Sequence, residues 1–468
     1  MEQPLKTAKA GGDEQLEREL YAKRQKIHPR EVHGIFARLR LLGVITLLGI
    51  YYLLPWVTWE GRQAVLFDLP HRKFYIFDWV FWPQDVIFLA WLLIIAALAL
   101  FFFTALAGRV WCGYACPQTV WTEVFMWLEH RIEGDRPKQI KLDRMPWNRE
   151  KILKRGGKHG VWLLFSLFTG FTFVGYFTPI TELAGKLATF STGPWETFWV
   201  LFYGFATYLN AGWMREQVCI YMCPYARFQG AMFDRDTLVI AYDAARGEPR
   251  GPRPRGTDPR ELGLGDCIDC TICVQVCPTG IDIRNGLQYQ CIACAACIDA
   301  CDDVMEKMRY PKGLIRYTTE NALEGKPTRI IRPRVVIYGM LLIALMAGFV
   351  YALTHRVPLR VDIMRDRNTL YRETPEGLVE NVYTLKVLNM DEAPHRYRLT
   401  VSGIKGLDWS PKAPLQAPGG EVVAYPVQVR LDPVHLEHPS ETIYFTVEAV
   451  DIPGLKVTED TRFLGPVP

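Results

Sequence analysis

The sequence predicts a multi-domain membrane protein: an α-helical bundle of five transmembrane helices, a small inserted α+β module, and a C-terminal all-β sandwich of immunoglobulin-like type. Three observations predict this fold class. Five apolar stretches are each long enough to cross a bilayer. Eight of the twelve cysteines lie in one short segment. Beyond residue 356, apolar and polar residues alternate in short runs with a period of two, which is typical of sandwich strands.

The predicted spans cover residues 36–56, 84–107, 160–180, 195–213 and 334–354. Each is close to the roughly 20 residues that a helix needs to cross a hydrocarbon core of about 30 Å. The fourth is the weakest, because Asn210 lies near its end, and a re-entrant or interfacial helix is the alternative there. The residues before Phe36 are polar and charged, so we expect no cleaved signal peptide.

Basic residues predict the orientation of these spans. Lysines and arginines are frequent in the N-terminal arm and between the second and third spans, whereas the loop between the third and fourth spans contains only Lys186. The N-terminus and residues 108–159 and 214–333 should therefore be cytoplasmic, and an odd number of spans places the C-terminus outside. All twelve cysteines fall in the predicted cytoplasmic segments, where thiols stay reduced.

Changes in composition divide the chain into six segments. They are an N-terminal arm (1–34), a four-span membrane region (35–245), a Pro- and Arg-rich linker (246–260), a cysteine-rich module (261–312), a connector with the fifth span (313–355) and the sandwich (356–468). Arginines of the linker could touch lipid headgroups, but a solvated linker is favoured.

The cysteine-rich module contains two runs with the spacing C-x2-C-x2-C-x3-C, the spacing of bacterial two-cluster ferredoxins. In that arrangement three thiolates of one run hold a [4Fe–4S] cluster, and the fourth ligates the other cluster. We assign Cys267, Cys270, Cys273 and Cys301 to one cluster, and Cys291, Cys294, Cys297 and Cys277 to the other. Zinc ribbons and disulfides are the alternatives. Zinc ligands, however, come as two C-x2-C pairs, and a disulfide framework needs an oxidising compartment. Asp302 stands where the first run has Pro278, and we expect this to change the local field but not ligation.

The other four cysteines form two C-x3-C-P motifs at residues 112–117 and 219–224, each just beyond the cytoplasmic end of a span. A span followed by a C-x3-C-P motif thus occurs twice, and the two copies form a parallel internal repeat. Because proline suits the first turn of a helix, we expect new helices to begin at Pro117 and Pro224. If the repeats pack side by side, four thiols converge near the cysteine-rich module.

Four soft thiolates suit copper(I), zinc or a further iron–sulfur cluster, and a redox-active thiol pair is also possible. The alternative is a purely structural role, in which these cysteines are small buried residues at span ends. Their duplication at equivalent positions favours a catalytic or metal-binding role for Cys112, Cys116, Cys219 and Cys223.

Other candidates are weaker. Glu123, Glu129 and His130 follow the first motif; His130 could ligate a metal, but a solvated cytoplasmic edge is favoured for this stretch. His435 and His438 are favoured as surface residues over metal ligands. Five tryptophans are favoured as interfacial anchors, with a quinone pocket as the alternative; they are Trp111, Trp121, Trp127, Trp147 and Trp213. The sequence contains no recognisable nucleotide or flavin site, so electrons must come from a partner.

Together these features resemble a known family. The segment from Arg109 to Trp121 (RVWCGYACPQTVW), the second motif, the two-cluster insert and the sandwich look like the cytochrome c oxidase accessory protein family CcoG, also called FixG or RdxA. The resemblance covers nearly the whole chain. It implies a multi-pass protein of the bacterial inner membrane with a cytoplasmic ferredoxin domain and a periplasmic immunoglobulin-like domain. It also implies reduction of Cu(II) to Cu(I) during assembly of cbb3-type cytochrome c oxidase.

The resemblance further implies an oxidoreductase, a cupric reductase, with two [4Fe–4S] clusters and copper as a candidate further metal. Expected partners are the lipid bilayer, a cytosolic electron donor, copper chaperones or a copper transporter, and cbb3-type oxidase subunits; nucleic acid is not expected. One alternative is a NapH-like quinol dehydrogenase or ferredoxin relay, which would lack the sandwich. The other is a non-enzymatic scaffold for oxidase assembly.

Overall fold

The computed structural model describes residues 26–466, which fall into two compact units. One unit contains residues up to Trp79 together with Leu92–Ala344, and the other contains Val80–Trp91 together with the residues from Leu345 onwards. Most of the predicted N-terminal arm, residues 1–25, lies outside the described residues. Residues 26–34 have no regular secondary structure, although His28 and Pro29 within them are buried.

Fourteen α-helices are found in the described part of the chain. In order they are α1 (Ile35–Leu53), α2 (Val86–Ala107), α3 (Val110–Tyr114), α4 (Pro117–Glu133), α5 (Arg136–Arg144), α6 (Arg149–Val174), α7 (Ile180–Ala188), α8 (Pro194–Thr207), α9 (Pro224–Met232), α10 (Ala244–Gly247), α11 (Ile272–Gln275), α12 (Ala296–Met308), α13 (Glu320–Leu323) and α14 (Pro333–Thr354). Two π-helical turns, Tyr208–Met214 and Val218–Met222, lie between α8 and α9.

The strands are shorter in the first half of the chain than in the second. They are β1 (Thr58–Trp59), β2 (Arg62–Gln63), β3 (Val65–Asp68), β4 (Lys73–Ile76), β5 (Trp79–Phe81), β6 (Val239–Tyr242), β7 (Ile315–Thr318), β8 (Leu359–Arg365), β9 (Arg372–Glu373), β10 (Val379–Asn389), β11 (His395–Ser402), β12 (Asp408–Ser410), β13 (Leu415–Ala417), β14 (Val422–Leu431), β15 (Ser440–Ala449) and β16 (Lys456–Leu464).

Three helices of the described chain are long and apolar enough to cross a membrane: Ile35–Trp56, Pro83–Ala107 and Pro333–Thr354. They coincide with the first, second and fifth predicted spans. The other two predicted spans have different bounds from those expected. The third lies in α6, whose charged first turns begin at Arg149, and the fourth lies in α8, which leaves α-helical geometry after Thr207.

Helix α6 starts early because Asn148 caps it. The Asn148 side chain accepts a hydrogen bond from the backbone N–H of Lys151 at 2.8 Å, which satisfies one free donor of the first turn. Further along, α6 packs closely on α8. A Cβ atom at Gly170 would lie only 2.7 Å from the backbone nitrogen of Gly204, so the two backbones meet where both helices have glycine.

The cysteine-rich module extends beyond its predicted bounds. Strands β6 and β7 pair antiparallel, and this pairing closes the module at residues 239–318. Its apolar core contains Ile240, Ile298, Met305, Leu314 and Ile315. The predicted linker is largely exposed, but it is attached to the module rather than free.

Two arginines attach this linker to the module. Arg246 donates from Nε to Asp266 at 2.6 Å, and Arg253 donates from Nε to the Tyr310 hydroxyl at 2.9 Å. Both partners belong to the cysteine-rich module. The side chains of these two arginines therefore bind the protein itself and need no lipid surface as a partner.

The C-terminal region forms the predicted sandwich. One sheet has the strand order β12-β14-β10-β8, with β9 pairing to β10, and the other has the order β13-β11-β15-β16. The alternation read from the sequence is visible in β11, where buried and exposed residues alternate along the strand. The rings of Tyr383 and Phe445, both fully buried, meet edge to face at 5.1 Å in the core between the sheets.

Candidate metal centres

The eight cysteines of the cysteine-rich module line two small cavities, and Cys273 lines both. One cavity is lined by Cys267, Cys270, Cys273 and Cys301. The other is lined by Cys277, Cys291, Cys294 and Cys297, and also by Cys273. Three thiols of one run thus group with the fourth of the other run. This grouping supports the exchanged assignment of the fourth cysteine, and the role of each thiolate stays a prediction.

The backbone has the same unusual conformation in both runs. The residues on either side of the second cysteine of each run have positive φ angles. They are Asp269 and Thr271 in the first run (52° and 56°), and Ala293 and Ala295 in the second (54° and 58°). Non-glycine residues rarely adopt such angles. Alternation of left- and right-handed residues turns successive N–H groups to one side, which suits a negatively charged iron–sulfur group.

The thiols lie in apolar surroundings, and this fits them to hold a charged cluster. Burial raises the pKa of Cys294 and Cys301 to about 12 and that of Cys273 to about 11. Such thiols keep their protons until a cation takes the place of the proton. Four thiolates around each cavity are the donor set that a [4Fe–4S] cluster requires.

Helices begin at Pro117 and Pro224, as the two C-x3-C-P motifs predict. The two copies differ in the turn before the proline. In the first motif Cys112 lies in the short α-helix α3, whereas Cys219 of the second motif lies in a π-helical turn. Single π-helical turns are uncommon and often occur at functional sites.

The four thiols of these motifs lie close enough to interact electrostatically. Burial raises the pKa of Cys219 to about 12, and the thiols of Cys116, Cys112 and Cys223 add to this shift because they lie nearby. Burial likewise raises the pKa of Cys112 to about 11. The side chain of Gln229, which is fully buried, donates from Nε2 to the Cys112 sulfur at 3.5 Å. What these thiols bind stays a prediction.

The C-x3-C-P thiols are not arranged as a preformed site for a single metal ion, with or without a histidine. Within residues 26–466, no three His, Cys, Asp or Glu side chains are gathered tightly enough to hold a single metal ion. His130 is half-buried, and its Nε2 lies 3.1 Å from the backbone carbonyl of Pro29. The His435 ring lies beside Gly406 in the sandwich, 3.0 Å from the place that a Cβ atom at Gly406 would take.

The first motif lies directly against the second cysteine run. A Cβ atom at Gly113 would be 2.7 Å from the carbonyl oxygen of Ala293 and 2.9 Å from the Cα of Cys294. Only glycine allows this approach. The Tyr317 hydroxyl donates to the same Ala293 carbonyl at 2.7 Å and holds the loop in place. The chain therefore joins one four-cysteine group to the membrane-proximal thiols through a direct backbone contact.

Two buried arginines strengthen this junction, and the sequence analysis did not identify their role. Arg40, from α1, donates from Nη1 to the carbonyl of Cys294 at 2.5 Å. Arg109 donates to the carbonyl of Cys291 at 3.3 Å and also to the carbonyls of Tyr289 and Ala226. Both arginines stand at span ends, where basic residues are usually interpreted as topology signals, so the pattern alone did not separate them from the others.

Glu129 was expected at a solvated edge, and this expectation is wrong. Its side chain is 2% exposed and lies among three cations. Its carboxylate oxygens are 3.1 Å from Lys26 Nζ, 3.2 Å from Lys158 Nζ and 2.5 Å from Arg215 Nη2. Burial alone would raise the pKa of Glu129, but these cations outweigh it and hold the pKa well below its ordinary value.

Arg215 connects this ion cluster to the second motif. It has a φ angle of +46°, an unfavourable conformation for a residue with a side chain, at the point between the two π-helical turns. The Arg215 guanidinium binds Glu129 and the Gly212 carbonyl, and its own carbonyl accepts a hydrogen bond from Gln118 at 3.1 Å. These bonds stabilise the bend that places Cys219 beside the first motif.

The interfacial role of the five tryptophans stays a prediction, but the structure shows how far each of them is exposed. Four of the five are strongly exposed, and these are Trp111, Trp127, Trp147 and Trp213. Trp121 instead packs with Phe125 and Trp162 in a small apolar core beside Ala211.

Two cysteine-lined cavities in a chain with three apolar helices long enough to cross a membrane define a membrane-associated iron–sulfur protein of the electron-transfer class. Family models match in the same places. Residues 214–320 match a model described as "4Fe-4S dicluster domain", residues 89–134 match a "4Fe-4S binding domain", and residues 349–466 match an "IG-like fold at C-terminal of FixG".

Curated relatives identify the family. Protein RdxA of Cereibacter sphaeroides is 44% identical over 404 residues, which cover 83% of this chain and 84% of RdxA. Nitrogen fixation protein FixG of Rhizobium meliloti is 40% identical over 422 residues, covering 82% of this chain and 80% of FixG. The chain belongs to the FixG/RdxA family. A crystal structure of a FixG-related protein from Vibrio parahaemolyticus aligns with 23% of this chain and 95% of its own, at 33% identity and a TM-score of 0.21.

Proposed function

We propose that this protein is a membrane-bound iron–sulfur oxidoreductase that reduces Cu(II) to Cu(I) for the assembly of cbb3-type cytochrome c oxidase. One observation carries this proposal. Gly113, the neighbour of Cys112, contacts the backbone of Ala293 and Cys294. The first C-x3-C-P motif, proposed to bind copper, is therefore in direct contact with the second cysteine run. Family membership supports the electron-transfer part of the proposal.

The residues have distinct proposed roles. The eight cysteines of the cysteine-rich module hold two [4Fe–4S] clusters, assigned as in the sequence analysis. When bound, the clusters supply one-electron transfer, and the substrate Cu(II) takes up one electron to become Cu(I). Cys112, Cys116, Cys219 and Cys223 bind the copper substrate, and their soft sulfur atoms favour Cu(I) over Cu(II).

The proposed topology has five spans, with α6 and α8 providing the third and fourth. The close packing of Gly170 on Gly204 supports pairing of these two helices in lipid, where small residues allow backbones to meet. The N-terminal arm and the cysteine-rich module are cytoplasmic, where a cytosolic donor reaches them. The sandwich is periplasmic and binds a copper chaperone, a copper transporter or an oxidase subunit.

Anaerobic copper turnover tests the proposal. The full-length protein is purified without oxygen, its clusters are reduced chemically, and Cu(II) is added with a Cu(I)-specific chelator. We expect one Cu(I) for each electron lost from the clusters. Cys112→Ser and Cys219→Ser should abolish copper reduction and leave the cluster EPR signals intact. Met222→Leu, a change at an exposed position within the second motif, serves as the matched control and should turn over normally.

Each alternative predicts a different result. Clusters that remain reduced in the presence of Cu(II) would indicate a non-enzymatic assembly scaffold. Reoxidation by quinone but not by Cu(II) would indicate a ferredoxin relay. Normal copper turnover in the Cys112→Ser and Cys219→Ser variants would remove these thiols from the site.

A further inference from the structure

A cavity of about 940 Å³ lies between α1, α4 and the cysteine-rich module. Its walls include Cys294 of the second cysteine run and Cys219 of the second motif. This volume is near the upper end of the range for small-molecule sites, about 300–1,000 Å³. A copper ion needs only its ligands, so the proposed copper chemistry does not account for a cavity of this size.

The walls of the cavity are mainly apolar and extend into a candidate membrane span. Leu41 and Val44 line the cavity from α1, and Met126 and Trp127 line it from α4. Leu41 and Val44 belong to the span Ile35–Trp56, and Leu41 remains 56% exposed. A lipid-soluble molecule can therefore approach the cavity from the bilayer, a route closed to a charged nucleotide.

Polar and charged side chains provide nearly half of the residues that line the cavity, although the exposed wall area is mainly apolar. Arg38 and Arg40 provide hydrogen-bond donors, and Thr122 provides a hydroxyl. Glu123 and His130, both half-buried, are groups that can accept protons. A flat ring with carbonyl oxygens on opposite sides needs apolar walls for its faces, donors for its oxygens and proton acceptors when its reduced form is oxidised.

From this combination we propose that the cavity binds a membrane quinone and its quinol. Oxidation of one quinol releases two electrons and two protons. The two four-cysteine groups, each taking one electron when loaded with its iron–sulfur cluster, account for the electrons, and Glu123 and His130 account for the protons. With this site, quinol from the membrane is a second electron donor beside the cytosolic electron donor. It rests on the electron-transfer part of the proposed function and does not require copper to be the acceptor.

Photolabelling tests binding without relying on activity. Full-length protein in lipid nanodiscs is irradiated with an azido-quinone, and the adducts are mapped by mass spectrometry. We expect adducts on α4 and on the cytoplasmic half of α1, and we expect an excess of decylubiquinone to prevent them. Adducts confined to other helices, or adducts that decylubiquinone does not reduce, would overturn the proposal.

Adjacent leucines offer a matched pair of variants. Leu41 lines the cavity, whereas Leu42 does not, and the two are similarly exposed at 56% and 61%. Leu41→Trp should fill part of the cavity and weaken decylubiquinone competition by about tenfold, which corresponds to about 1.4 kcal/mol of binding free energy. Leu42→Trp should leave the competition unchanged. Equal effects of the two substitutions would show that the ligand is not in this cavity.

A kinetic measurement separates this proposal from the copper proposal. Decylubiquinol should reduce the clusters of the wild-type protein and of Leu42→Trp, but only slowly those of Leu41→Trp. Copper turnover after chemical reduction should be the same in all three proteins. Failure of decylubiquinol to reduce wild-type clusters would reject the quinol site and leave copper turnover unaffected. Loss of copper turnover with intact quinone binding would reject only the copper proposal.

Discussion

Glu129 is a buried carboxylate whose contribution to stability can be measured. Replacement by glutamine removes the carboxylate that pairs with the buried Arg215, while Lys158 keeps its second partner, Glu133, at 2.9 Å. We expect Glu129→Gln to lower the free energy of unfolding by about 3 kcal/mol, since removing one partner of a buried ion pair is costly. Glu150→Gln is the control, because Glu150 pairs with Lys154 on an exposed helix face and should show no measurable change. Chemical denaturation in detergent provides the measurement.

The pH dependence of this effect has a definite sign. A carboxyl group with a lowered pKa in the folded state contributes stability that is fully present above its unfolded pKa and is lost as the pH falls. The difference between wild type and Glu129→Gln should therefore be constant between about pH 6 and pH 7, below the pKa of its partner Lys26, which burial lowers to about 8. A difference that disappears within this window would show that Glu129 is not held in its charged form.

Gly113 sets the distance between the first motif and the second cysteine run. Gly113→Ala should force these backbones apart at a cost of about 1–3 kcal/mol. It should slow copper-dependent reoxidation of the clusters without reducing iron content. Gly230→Ala is the control, because a Cβ atom at Gly230 meets nothing within 4 Å. Unchanged reoxidation kinetics in Gly113→Ala would show that electrons do not pass through this contact.

Single residues differ in how far their roles can be predicted. The eight cysteines of the cysteine-rich module can be predicted as cluster ligands, because their spacing along the chain is set by the shape of the cluster they surround. Arg109 and Glu129 do not, because their partners are distant in sequence: Tyr289 lies 180 residues from Arg109, and Arg215 lies 86 residues from Glu129. Nothing local distinguishes such residues from ordinary charged residues at a membrane surface.

The pairing of α6 with α8 depends on small residues at their crossing. Gly170→Ala should separate these helices and lower the unfolding temperature of the full-length protein. Gly160→Ala lies in the same helix, where an added Cβ atom meets nothing within 4 Å, and should be neutral or slightly stabilising. Thermal unfolding in nanodiscs compares the two variants. Equal unfolding temperatures would argue against close helix packing at Gly170.

Secondary-structure elements were predictable where a local signal fixes them. Prolines predicted the starts of α4 and α9, because proline is tolerated at the first turn of a helix. The π-helical turn at Val218–Met222 was not predictable, since Arg215 and its long-range bonds impose it. The pairing of β6 with β7 was missed for a similar reason, because the two strands are separated by the whole cysteine-rich module.

At the scale of the whole molecule, metal content is the first quantity to measure. Two [4Fe–4S] clusters require about eight iron atoms and eight acid-labile sulfides per chain. We expect this value in anaerobically purified protein. A value of about twelve would place a third cluster at the two C-x3-C-P motifs. The match of residues 89–134 to a "4Fe-4S binding domain" contains the first motif, so this outcome has independent support. A folded protein without iron would contradict the assignment.

Topology is the second property of the whole molecule. Reporters inserted after Lys158 and Lys312 should be cytoplasmic, and reporters after Lys186 and at the C-terminus should be periplasmic. The physical reason is the retention of Lys- and Arg-rich loops on the cytoplasmic side. A cytoplasmic reporter after Lys186 would mean that α6 and α8 do not both cross the membrane. An exported reporter after Lys312 would contradict the proposed site of electron entry.

The sequence by itself determined the iron–sulfur class, the C-terminal sandwich and the presence of apolar spans, because each of these depends on a periodic or closely spaced pattern along the chain. Only the tertiary structure decided how the parts meet. It determined the backbone contact of Gly113 with the second cysteine run, the burial of Glu129, and the cavity between α1 and α4. These features depend on contacts between residues that are distant in sequence or on strained backbone, such as that of Arg215. Neither leaves a local pattern in the sequence.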